Sequence, residues 1–170
     1  MEKKQASLAL REQLTLYMEE KSLRKTPERY EILRVAGLAN GIFTIDALMQ
    51  LMKEHAKFQV SRATLFNTME LFCDAGLVIK HLLATAAHYE LKTDNTPKAY
   101  VICRQCNTIT KVSISTAKLA LQNLHVRYFS IEDKIVYMHG LCRKCQAKNR
   151  LEAKKKNKSI KQDKNNNGKR

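Results

Sequence analysis

The chain has 170 residues, 44% hydrophobic and 6% aromatic with no Trp, which allows an aliphatic core in one large domain or two small ones. Its formal charge is +15, and residues 146–170 hold ten Lys and Arg against Glu152 and Asp163, so the excess is shared between a basic end and the body. No run of about 18 uncharged apolar residues occurs, which excludes a helical membrane span, while a basic body attracts polyanions such as nucleic acid.

The N-terminus, Met1-Glu2-Lys3-Lys4-Gln5, leads into an amphipathic stretch and not into a secretory apolar run, so a cytoplasmic protein is expected. Over residues 6–20, Leu10, Leu14 and Tyr17 recur at helical spacing. Thr26-Pro27 is a helix start, Thr as N-cap and Pro at the first helical position, and Tyr30, Leu33 and Ala36/Gly37 continue one face. Asn40-Gly41 signals a turn. Thr44 caps a third helix with Ile45, Leu48 and Met52 inward. Ser61 caps a fourth with Leu65, Met69 and Phe72 inward, ended by Ala75-Gly76. Residues 77–82 and 87–91 read as two short strands with a turn between them. Helices followed by a β-hairpin describe a winged helix-turn-helix, whose last helix enters the major groove.

Thr93-Asp94-Asn95-Thr96-Pro97 is a linker signal. Beyond it, residues 100–102, 109–112 and 134–138 read as strands and 114–125 as a short helix, a small α/β domain. The fold class is α+β overall. From about residue 151 the chain is rich in Lys and Asn, with too little apolar content to offset ordering entropy, and disorder is expected.

Four of the five cysteines form two Cys-x-x-Cys pairs, Cys103/Cys106 and Cys142/Cys145, each directly after an expected strand. Two such knuckles complete a tetrahedral four-thiolate zinc site, closed to substrate and therefore structural. Dithiol–disulfide cycling and an iron–sulfur cluster are the competing uses of the same residues. Cys73 falls beside the apolar stripe of the fourth helix and reads as a small buried hydrophobe, with a sensor thiol as the alternative. No nucleophile–base pair and no Gly-rich phosphate loop is evident, so an enzyme is not expected.

Thr26-Pro27-Glu28-Arg29, Ser61 to Thr68, Leu71 to Val78, Tyr89-Glu90-Leu91 and the two cysteine pairs together resemble, in order and spacing over residues 8–147, the ferric uptake regulator family. The resemblance implies an N-terminal winged-helix DNA-binding domain (1–92), a hinge linker (93–97), a dimerisation domain with structural zinc (98–150) and, here, a basic tail (151–170). It implies a homodimer that binds double-stranded DNA operators and represses metal, haem or stress-response genes, with an interdomain metal setting the DNA-binding geometry. A zinc-stapled thiol redox sensor is the alternative function.

The chain departs from the family at the sensing site. Thr96-Pro97-Lys98-Ala99-Tyr100 stands where a His-rich run is usual, Ile42 or Phe43 and Lys134 where ligand histidines are usual, while Glu90 retains a ligand position. A rebuilt sensing site would draw on His88, Glu90 and His139, with His81 and His125 as further candidates. DNA binding without any sensing metal ranks ahead of such a site, and a haem or redox signal ranks behind it. In the DNA-reading helix Phe66-Asn67 replaces the usual Tyr-Arg. Asn pairs with adenine and an apolar ring touches a thymine methyl, so a lean towards A·T steps is expected. Ser61 and Thr64 belong to the same DNA-binding block, and Lys25, Arg29 and Arg62 are assigned to phosphates.

Overall fold

The computed structural model describes residues 2–39, 41–83 and 86–154. The turn signal at Asn40, the tip of the hairpin and the tail from 155 lie outside the described residues. The chain divides into two compact units, Met1–Asn95 and Thr96–Arg170.

The first unit contains α1 (Glu2–Glu20), α2 (Pro27–Ala36), α3 (Ile45–His55), α4 (Arg62–Asp74), β1 (Val78–Leu83) and β2 (Ala86–Leu91). The helix starts follow from side chains that accept the otherwise unpartnered first N–H groups. Thr44 accepts the Ala47 N–H at 3.2 Å, and Ser61 accepts the Thr64 N–H at 3.0 Å. Thr26 stands at the N-cap of α2 with extended backbone and Pro27 follows it, yet its side chain makes no cap bond. The Thr26 hydroxyl bonds instead to the carboxyl of Glu28, which its own backbone N–H and then that hydroxyl hold below the usual range. At the end of α4, Gly76 takes φ 66°, which glycine adopts without a Cβ clash. This lets the N–H of Leu77 reach Phe72 O and that of Gly76 reach Cys73 O, both at 2.9 Å, so the last carbonyls are satisfied.

The core of this unit is fully closed over Leu14, Met18, Ile32, Val35, Leu48, Leu65, Met69, Phe72 and Leu77. The stripes expected for α3 and α4 are the buried ones. In α1 the burial continues to Met18 while Tyr17 is half-buried, and in α2 the expected Leu33 and Ala36 are buried together with Ile32 and Val35, while Tyr30 is half-buried. The reason is that α2 packs against α1, α3 and α4 together, so it buries a wider arc than a single-stripe helix. Strands β1 and β2 pair antiparallel, Val78 opposite Leu91 through Leu83 opposite Ala86. Phe43 and Tyr89 exchange backbone hydrogen bonds at 2.9 and 2.8 Å, adding a one-residue third rung that ties the α2–α3 connection to the hairpin. This is a winged helix-turn-helix.

The second unit holds β3 (Lys98–Cys103), β4 (Ile109–Val112), α5 (Ser115–Gln122) and β5 (Ile135–Gly140). Its sheet has the order β4-β3-β5, with β4 antiparallel and β5 parallel to β3. Lys134, at the position aligned with a family histidine, donates to the carbonyls of Gln122 and Leu124 at 2.8 and 3.0 Å; a cation is favoured where α5 leaves carbonyls unpaired. Residues 143–154 are helical. The disorder expected from about 151 therefore does not describe 151–154, where Leu151 and Ala153 are strong helix formers continuing the turn begun after Cys142.

Candidate metal centre and nucleic-acid interface

Parallel pairing of β3 with β5 aligns Cys103 with Gly140, so both strands finish at the same end of the sheet and the chain after each carries a cysteine pair. The first knuckle is a tight turn: Asn107 takes φ 55°, a left-handed conformation that Asn tolerates, and its N–H reaches Cys103 O at 2.8 Å. The N–H of Arg104 reaches Gly140 O at 2.8 Å, fastening this knuckle to the end of β5.

The four sulfurs of Cys103, Cys106, Cys142 and Cys145 lie within 4.8 Å of one another, the only such group of three or more ligand-type side chains among the described residues. Cys106 and Cys142 are 3.7 Å apart. A tetrahedron with bonds of about 2.3 Å has edges of about 3.8 Å, so this spacing suits zinc. The backbone prepares the thiolates. N–H groups of Cys142, Cys106 and Gln105 point at the Cys103 sulfur and bring it down to about 6. The Thr108 hydroxyl, 3.1 Å from the Cys106 sulfur, lowers that thiol too. Burial, then the neighbouring sulfurs, push Cys145 up to about 12, since four thiolates this close repel unless a cation lies among them. The donor set and spacing fit zinc, and a site with four protein thiolates leaves no position for substrate.

The structure presents Arg62, Ala63, Phe66, Asn67 and Glu70 on the exposed side of α4, with Ser61 exposed and Thr64 half-buried at its start. The Arg62 guanidinium pairs with Asp46 of α3 and lies over the Phe66 ring, 5.4 Å from its centroid. Glu70 accepts from Lys80 of β1 at 2.6 Å. Lys25 pairs with Glu19. Arg29 is turned inward, donating to Arg24 O at 2.6 Å and touching the Met18 sulfur at 3.5 Å, which makes it an anchor of the α1–α2 loop.

Of the candidate sensing residues, Glu90 is buried on β2, and its carboxylate lies 3.4 Å from Nε2 of the fully buried His81. His88 is half-buried on β2, directly opposite His81. His139 is an exposed residue of β5 in the second unit, in register with Ile102. The His81–Glu90 contact could be found from the hairpin register, because residues 79, 81, 88 and 90 fall on one face of it.

The sequence profile of the ferric uptake regulator family matches residues 20–139. The ferric uptake regulation protein of Synechococcus elongatus is 30% identical over 134 residues, which span 76% of this chain and 90% of that protein. The zinc uptake regulation protein of Escherichia coli K12 is 24% identical over 131 residues, 74% of this chain and 75% of that protein. The solved ferric uptake regulator of Helicobacter pylori superposes with a TM-score of 0.64 at 13% identity, covering 82% of this chain and 93% of that one, a likeness of fold. With its winged helix and four-cysteine structural zinc site, this chain belongs to the ferric uptake regulator family, a family of transcription regulators and not of enzymes.

Proposed function

We propose that the protein is a homodimeric repressor that binds a pseudo-palindromic DNA operator through α4 and the β1–β2 wing and controls metal- or stress-responsive genes. The observation that carries this is α4 itself, a helix capped at both ends, with one face closed in the core and the other open to solvent in front of a hairpin. Lys25 and Arg62 take phosphates in this reading, exchanging exposed carboxylates for DNA; exposed ion pairs of this kind contribute little, so the exchange is easy. Phe66 and Asn67 read base edges. The signal acts through Glu90 and His88 of the wing as ligands of a second, exchangeable metal; haem is the alternative ligand.

Selection of bound sequences from a random duplex library, with metal content followed in parallel, tests the reading. The expected result is a two-fold symmetric consensus and about one tightly held zinc per chain. No consensus from a folded, zinc-loaded protein would overturn it. Stripping weakly held metal separates the signals: lost DNA binding supports the second site, and unchanged binding removes it.

A further inference from the structure

One side chain of α2 fastens the turn between α3 and α4. Glu31 is only 8% exposed. Its Oε1 accepts the backbone N–H of Lys57 at 3.0 Å and Nη2 of Arg34 at 2.8 Å, and its Oε2 accepts Nε of Arg34 at 2.9 Å. Nη2 of Arg34 also donates to His55 O at 2.6 Å. His55 is the last residue of α3, so that carbonyl has no partner within its own helix. Only the planar guanidinium fork spans a carboxylate and a carbonyl together. The Arg34 hydrogen bonds hold the Glu31 carboxyl down at about 2 against the effect of burial, with the Lys57 N–H adding to them, so the pair is charged at neutral pH.

The turn matters because of what it carries. Leu65, Met69 and Phe72 fix the middle and end of α4 in the core, but Ser61, Arg62, Ala63 and Thr64 include no buried residue. The first turn of α4 is therefore held by the exposed Arg62–Asp46 pair and by the segment that leads into it, which begins at Lys57 and touches the core through Val60.

We propose that Glu31, together with Arg34, is a positioning residue for DNA recognition, setting the entry of α4 and so the register of its outward residues against the base edges. The inference rests on the DNA-binding reading above. It predicts a loss confined to sequence-specific binding, since non-specific binding depends on charge and not on register.

The test uses the full-length, zinc-loaded protein as Glu31→Gln and, separately, Arg34→Lys. Glu31→Gln keeps an acceptor for Lys57 but cannot hold the guanidinium by two charged bonds. Two duplexes serve as probes: the operator that the wild-type protein selects from a random library, and a scrambled duplex of equal length. Operator affinity is expected to fall about tenfold, with scrambled-duplex affinity within about twofold of wild type. Amide exchange is expected to quicken at residues 55–61 and not in the β4-β3-β5 sheet. Equal losses on both duplexes with faster exchange throughout the first unit would reduce Glu31 to a stabilising residue and overturn the proposal, as would unchanged operator binding. A wild-type protein that selects no sequence would remove the DNA-binding reading, and this one with it.

Discussion

Cys73 and Cys103 carry the same side chain in opposite conditions. Cys73, half-buried against the core on α4, is pushed up to about 11 by burial and then by Glu70, so at neutral pH it is a thiol, a poor nucleophile. Cys103 is drawn down to about 6 by three backbone N–H groups. Alkylation of the native, zinc-loaded protein at pH 7 should therefore modify no cysteine quickly, and a chelator should open the metal cysteines to labelling, counted by mass, with Cys103 modified first. Prompt labelling of Cys73 before chelation would contradict its place in the core. Glu31 allows a test by pH. Its carboxyl stands at about 2 in the folded protein against an ordinary 4.5, so its contribution is full above about 4.5 and fades as pH falls towards 2. The stability gap between wild type and Glu31→Gln should close over that range in thermal unfolding; a gap independent of pH would mean that the charge of Glu31 is not what stabilises. The metal cysteines were legible because their spacing alone encodes a knuckle. The role of Glu31 was not, because its partners are a backbone N–H 26 residues away and, through Arg34, a carbonyl on another helix.

Among the elements, helix boundaries were legible from single residues, and the structure separates two threonines and a serine that look alike in sequence. Ser61 and Thr44 accept a helix N–H, whereas Thr26 spends its hydroxyl on Glu28 and leaves the start of α2 to the fixed φ of Pro27. Ser61→Ala should cost about 1 kcal/mol in chemical unfolding and Thr26→Ala clearly less. Equal costs would show that the Ser61 cap carries no special weight. Gly76→Ala forces a side chain into φ 66° and should cost about 1 kcal/mol even though a Cβ there would meet only the Gln13 side chain, at an ordinary 3.7 Å. The stripes of α3 and α4 were visible from periodicity because each helix has one buried side. That of α2 was visible only in part, at Leu33 and Ala36, because three helices surround it and the burial arc outgrows a single stripe.

Across the whole molecule, the two units keep their structure by different means. The first buries a continuous aliphatic cluster contributed by four helices and the hairpin. The second has a three-stranded sheet with few closed positions outside β3, and depends on its cysteines. Zinc removal with a strong chelator should therefore speed amide exchange across β3, β4 and β5 while leaving the buried stripes of α3 and α4 protected. Uniform protection in both units after metal loss would show that the sheet stands without its staple. A two-part organisation was legible from the Thr-Pro linker and the shift from helical to strand periodicity, but sequence alone does not show which strand ends meet.

That meeting of strand ends also has a topological consequence. Cys103 and Cys142 are 39 positions apart, and the metal joins them where β3 and β5 already run side by side in parallel. Everything between, including β4, α5 and the exposed tip at Tyr128, is a loop anchored at both feet. Lengthening such a loop raises its closure cost by only about 0.6 kcal/mol per doubling. The tip around Arg127 and Tyr128 is thus the place where this protein can accept inserted residues, a peptide tag or a fluorophore, while the clasp at its feet stays shut.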